Sequence, residues 1–188
     1  MILVRKILCV FYLFYLVLLS SCHIGGRKAI LQEIVDGDTL IVKTFQGESL
    51  RLRLLGIDCP ELAQEPWGIR AKEFLEAKLD LGEELKIETD LYPKDKYGRV
   101  LAYVYQTHPD NNKFEKISLN QALLSSGLAK LFIIGDNDKY AKQFKIAEAK
   151  ARRLQLNIWD PNKGLKMSPY NFRRKQKRLA KKKSRRRR

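Results

Sequence analysis

The chain has 188 residues, 45% of them hydrophobic and 31% charged, which allows one compact domain with tails and excludes wholesale disorder. Its 37 Lys and Arg against 21 Asp and Glu give a formal charge of +16, but 13 of the basic residues lie in Lys166–Arg188, where there is no acid. The basicity therefore belongs to a tail, which excludes a uniformly basic packaging protein, and the three cysteines exclude a disulfide-stapled miniprotein.

At the N-terminus, Arg5 and Lys6 precede Ile7–Leu19, a run of 13 residues without a charge. A bilayer span takes about 20 apolar residues, so the run is short for one and suits the hydrophobic region of a signal peptide. It ends in Leu19-Ser20-Ser21-Cys22, which resembles the lipobox of bacterial lipoproteins, where small residues precede a cysteine that is lipidated and becomes the new N-terminus. An uncleaved anchor or an ordinary cleaved signal is the alternative. On the lipobox reading residues 1–21 are a signal peptide, Cys22 carries the lipid, and 22–29 form a linker. The mature protein is then expected at the cell envelope, membrane-anchored outside the cytoplasmic membrane. Cys9 leaves with the signal and Cys59 has no partner, so no intramolecular disulfide is expected.

From Ile30 the text turns to strands. Ile30–Val35 and Thr39–Phe45 are rich in β-branched and apolar residues and flank the turn signal Asp36-Gly37-Asp38. After Gln46-Gly47, Leu50, Leu52 and Leu54 alternate with Arg51, Arg53 and Leu55, the period-two pattern of a half-buried strand. Two more strands are predicted at Leu85–Thr89 and Val100–Gln106. Between them and the first three, Trp67–Leu79 is predicted helical, with Pro66 at its first turn and Phe74 and Leu75 facing inward. Ser118 suits the N-cap of a helix over Leu119–Ser125, and Gly127 fits just past its end. Asp138 is placed to cap a longer helix from Lys139 to about Leu154, after which Trp159 is expected to plug the core. Five strands with one inserted and two appended helices indicate α+β, with a small barrel as one candidate. The tail from Met167 has no apolar periodicity and is predicted disordered, giving a domain over 30–161 and a basic disordered tail over 162–188.

Three clusters carry chemistry: Asp36-Gly37-Asp38-Thr39, the RLLGIDCPE run from Arg53 to Glu61, and Asp95-Lys96-Tyr97-Gly98-Arg99. They supply carboxylate oxygens for a hard cation, a candidate general base and two guanidiniums, a set suited to a phosphodiester whose transition state gathers negative charge. Each cluster alone also has a structural reading: a turn, a surface ion pair, or a helix cap.

Taken in order, the blocks VDGDT (Val35–Thr39), RLLGIDCPE (Arg53–Glu61), DKYGRVLAYVY (Asp95–Tyr105), LNQALLSSGLAK (Leu119–Lys130) and LNIW (Leu156–Trp159) resemble the thermonuclease, or staphylococcal-nuclease-like, family from about Ile30 to Trp159. The resemblance implies a five-stranded OB-fold barrel with three helices and a calcium-dependent nuclease site binding one Ca2+ ion. Position by position it implies Asp38 and Asp58 as metal carboxylates, the backbone carbonyl of Cys59 as a further ligand, and Asp36 as an accessory acid. It implies Glu61 as general base, Arg53 and Arg99 as phosphate-clamping arginines, and Lys96 and Tyr97 as nucleic-acid contacts. Cleavage of DNA and RNA to 3′-phosphate ends follows from it. Two departures stand out: Cys59 replaces a threonine, and Leu131, Phe132, Ile133, Ile134 and Gly135 follow Lys130 where the family often has base-stacking tyrosines. Stacking is worth about 1–3 kcal/mol per base, so affinity and base preference are expected to differ. A monomeric enzyme is expected, with the tail binding nucleic acid or an anionic surface. The competing reading is a non-catalytic nucleic-acid-binding lipoprotein, which has no use for acids beside phosphate.

Overall fold

The computed structural model of the chain describes residues 27–107 and 115–185. The signal segment, Cys22 and His108 lie outside the described residues.

Strands β1 (Arg27–Asp36), β2 (Thr39–Thr44) and β3 (Ser49–Leu54) form an antiparallel meander. A two-residue β4 (Ile57–Asp58), helix α1 (Trp67–Glu76), β5 (Glu84–Glu88) and β6 (Val100–Gln106) follow. The barrel closes in the order β1-β2-β3-β6-β5, with β3 and β6 parallel and every other pair antiparallel. Alternation fills its interior: Leu40 and Val42 from β2, Leu52 and Leu54 from β3, and Leu85 and Ile87 from β5 are buried. On β1 the inward set switches phase from Ala29 and Leu31 to Ile34, because the register against β2 shifts between Leu31 and Glu33. The strand starts at Arg27, three residues before the predicted boundary, since Arg27–Ile30 pair with β5.

Helix α1 buries Trp67, Ala71 and Leu75 at helical spacing, with Phe74 only partly covered. Helix α2 (Leu119–Ser125) starts as predicted, with the Ser118 hydroxyl accepting from Gln121 N at 3.2 Å, and Gly127 closes it at φ +68°. Asn120 on α2 is fully buried: its amide donates to Leu55 O (2.8 Å) and Ala102 O (3.0 Å) and accepts from Val104 N (3.1 Å). This pins the helix to β6 and to the segment leaving β3. A short β7 (Lys130–Leu131) pairs with β4, and α3 (Ala141–Arg153) lays Phe144, Ala147 and Ala151 on the core. Asp138 is not its cap. The Asp138 carbonyl accepts from Ala141 N at 2.8 Å, while Tyr140 holds the N-cap position. Trp159 sits at the rim rather than plugging the core: Ile158 is buried, and the Trp159 ring lies 4.0 Å from the Arg152 guanidinium and 4.8 Å from Lys130 Nζ.

The larger correction concerns the tail. Pro169–Arg185 forms a 17-residue helix, α4, so the described residues hold four α-helices rather than the three expected. Lys, Arg, Gln, Leu and Ala are good helix formers, which the absence of an apolar stripe obscured. The start of α4 is held to the domain and the remainder is exposed: Pro169 is buried, Phe172 and Arg173 are partly covered, and Arg174 to Arg185 face solvent. No helix among the described residues is long and apolar enough to cross a membrane.

Candidate active site

The site forms where the β1–β2 turn meets the end of β3 and the β4 segment. In the turn, Asp38 N donates to Asp36 Oδ1 at 2.9 Å, a local bond that favours a tight reversal. A Cβ on Gly37 would lie 2.6 Å from Ala71 Cβ and 2.9 Å from Cys59 Cβ, so only glycine lets the turn pack between α1 and the β4 segment. The β2–β3 register places Thr39 opposite Arg53, and Leu54 N donates to Asp38 O at 2.9 Å. Asp38 is thereby carried to the Arg53 guanidinium.

Arg53 is on the barrel's outward-facing register, yet it is only 5% exposed, because the carboxylates of Asp38 and Asp58 close over it. Its Nη2 lies 3.2 Å from both Asp38 Oδ2 and Asp58 Oδ1, and its Nη1 donates to Leu54 O at 2.8 Å. Asp58 belongs to β4 and is fixed there by pairing with Lys130 on β7. Cys59 N donates to Asp38 Oδ2 at 2.8 Å, and the Cys59 thiol donates to Gly37 O at 3.2 Å, fastening the two carboxylate-bearing segments together. Cys59 is free and buried, and that burial pushes its thiol well above the usual range, with Asp38 adding to the shift. It is an inert strut rather than a nucleophile.

Glu61 stands at the mouth, with Glu61 N donating to Gln64 Oε1 at 3.1 Å. Its carboxylate accepts from Arg173 of α4: Nη1 is 2.7 Å from Glu61 Oε1 and 2.9 Å from Asp58 Oδ1, and Nη2 is 3.1 Å from Asp58 Oδ2. Burial raises the Asp58 carboxyl above the ordinary range even though Arg173 and Arg53 both oppose the shift. Asp36 is raised too, by burial and then by the charge of Asp38.

Asp36, Asp38, Arg53, Asp58, Cys59 and Glu61 are thus brought together. Arg99, Lys96 and Tyr97 occupy a separate loop. Leu101 on β6 pairs with Arg53, so Arg99 lies one strand over and two residues earlier. Its guanidinium is held by Asp95, with Nε and Nη2 each 2.8 Å from Asp95 Oδ2. Tyr97 is 67% exposed, with Lys96 Nζ at 5.2 Å and the Arg99 guanidinium at 5.7 Å from its ring centre. A solvent-facing aromatic between two cations is suited to a base and its phosphate. Past Lys130, Phe132 stacks on Tyr170 of α4 with centroids 6.5 Å apart.

The donors suit a hard cation. Among the described residues, no three His, Cys, Asp or Glu side chains gather as they would around one ion. Two carboxylates do converge: Asp38 and Asp58 aim oxygens at a single nitrogen of Arg53, and a set of oxygen donors matches calcium better than zinc. Reasoning from the sequence missed Arg173 and Gln64, whose side chain donates to Met167 O at 2.8 Å. Nothing in the sequence separated Arg173 from the other cations of the tail.

The staphylococcal nuclease homologue family matches residues 51–161. A thermonuclease of Staphylococcus intermedius is 34% identical over 146 residues, covering 75% of this chain and 81% of its own. Endonuclease YhcR of Bacillus subtilis is 29% identical over 161 residues, 79% of this chain but 13% of that protein. The SPbeta prophage-derived endonuclease YokF of Bacillus subtilis is 36% identical over 139 residues, 70% of this chain and 44% of its own.

Proposed function

The chain belongs to the staphylococcal nuclease homologue family, and on that premise we propose that it is a calcium-dependent phosphodiesterase that cleaves DNA and RNA to 3′-phosphate ends. The observation that carries this reading is the buried convergence of Asp38 and Asp58 on Arg53, with Glu61 at its mouth. A module that only binds nucleic acid gains nothing from acids held beside phosphate. Asp38, Asp58 and the Cys59 main-chain oxygen would hold the ion, with Asp36 shaping the turn beside them. When bound, calcium supplies positive charge to the scissile phosphate and lowers the cost of the developing negative charge.

The protein's own groups do the rest. Glu61 takes the proton from an attacking water, once its carboxylate is free of Arg173. Arg53 on β3 and Arg99 in the loop just before β6 bring charge to the phosphate oxygens, and such contacts matter most where they strengthen in the transition state. Asp95 aims the Arg99 fork, and Tyr97 offers its face to the base alongside Lys96. The test is incubation of the protein with single-stranded DNA, with calcium or with chelator. Calcium-dependent cleavage that Asp58→Asn abolishes supports the reading, and robust cleavage by an Asp38→Asn, Asp58→Asn double variant overturns it.

We also propose that the protein is lipid-anchored at the cell envelope through Cys22, on the strength of the lipobox-like sequence alone. Labelling with a radioactive fatty acid tests it. Label present in wild type and lost in Cys22→Ala supports the anchor, and an unlabelled wild-type protein refutes it.

A further inference from the structure

Helix α4 does more than carry positive charge. It is fastened to the site at three places along its leading end: Gln64 holds Met167 O, Tyr170 stacks on Phe132, and Arg173 reaches the carboxylates. Beyond Arg173 the helix is exposed, and one side of it, with Lys130 and Lys166 of the domain, lines an open groove through Arg174, Lys175, Arg178 and Lys182. Of the cations on α4, Arg173 is the one placed on acids, spanning both oxygens of Asp58 and one of Glu61. Those are the oxygens that a bound cation and an attacking water would need.

We propose that Arg173 is an internal cation that competes with the divalent metal for Asp58 and engages Glu61, so that docking of α4 holds the site closed. The proposal rests on the metal site proposed above. The chemistry is simple. Asp58 is buried and its charge must be compensated, and either a guanidinium fork or a metal ion can do this. Both cannot use the same oxygens at once. Metal affinity is then reduced by the fraction of molecules in the docked state, and a docked population of nine in ten weakens apparent affinity about tenfold. Because the two are mutually exclusive, calcium in turn drives α4 out of the docked state, by a factor that grows as calcium exceeds its Kd.

The test measures calcium binding directly, by titration calorimetry on the full chain without nucleic acid. Arg173→Gln should bind calcium about tenfold or more tightly than wild type. Arg178→Gln removes an equal charge from the groove without touching the carboxylates, and should change affinity far less. Hydrogen exchange supplies a readout independent of calorimetry: calcium should speed amide exchange across Pro169–Arg185 in the wild type. In Arg173→Gln the segment should already exchange fast without calcium. Equal calcium affinity in wild type and Arg173→Gln, or weaker binding in the variant, overturns the competition while leaving the metal site standing. If neither protein binds calcium, the metal site and the competition fall together. An equal gain in Arg178→Gln would show general charge rather than a specific contact, and would also overturn the proposal.

Discussion

Replacing Arg53 should cost stability as much as it costs turnover. The side chain is 5% exposed and is shared by two carboxylates at 3.2 Å, Asp38 being 8% and Asp58 2% exposed. Arg53→Ala leaves both acids in a desolvated pocket with one cation fewer. Breaking a buried ion pair from one side costs about 3–5 kcal/mol, and losing the bond to Leu54 O adds about 1 kcal/mol. A domain of this size has about 5–15 kcal/mol in total, so the variant should lose a large share of its stability. The assay is urea unfolding in chelator, followed by tryptophan fluorescence, since Trp67 is buried on α1. The decisive comparison uses Asp38→Asn as background, because Asn keeps an oxygen for Cys59 N while removing one uncompensated charge. There, Arg53→Ala should cost only about 1–2 kcal/mol, a coupling of about 2 kcal/mol or more. A loss below about 1 kcal/mol in the wild-type background, unchanged by Asp38→Asn, would refute the buried-charge reasoning and make Arg53 a purely catalytic residue.

Three further outcomes are expected. Asn120→Ala strands Val104 N and the Leu55 and Ala102 carbonyls, and should lower unfolding free energy by about 3 kcal/mol or more, read from the same urea transitions. Asp95→Asn should reduce turnover by loosening Arg99, and should also alter the acid limb of stability. Burial alone would raise the Asp95 carboxyl, but hydrogen bonds from Arg99 and the Tyr97 amide hold it below the ordinary range; its contribution is complete above the usual carboxylate pKa and is lost as pH falls through the lowered value. Thermal melts in a pH series should therefore converge for wild type and Asp95→Asn at the acid end and separate near neutrality. Cys59→Ala should keep calcium-dependent cleavage and lose about 1 kcal/mol of stability, because the thiol bond to Gly37 O goes while the main chain stays.

The barrel was legible because burial writes alternation into strands: Leu40, Val42, Leu52 and Leu54 sit at period two and all point inward. Helix α2 was legible from its cap chemistry at Ser118 and Gly127. Other features had no local signature. Asn120 reads as a polar residue on a helix until the fold brings Leu55, Ala102 and Val104 to it from far along the chain. Arg53 fits an alternating strand with a solvent face, and only the β1–β2 turn and β4, packed over it, convert that face into an interior. Helix α4 failed because periodicity measures an apolar stripe, whereas this helix docks through a fork of hydrogen bonds and one stacked ring.

The same cluster explains why those omissions matter together. Asp38, Asp58 and Glu61 bring three carboxylates against the guanidiniums of Arg53 and Arg173. Burial raises the Asp58 carboxyl even though both arginines act against the shift. A carboxylate buried in this way favours any positive charge that reaches it, whether a metal ion or a side chain from elsewhere in the chain. Barrel stability, metal affinity and the position of α4 are therefore coupled through Asp58. A substitution there should move all three in concert, and one at Glu61, which is far more exposed, should move chiefly the helix and the chemistry.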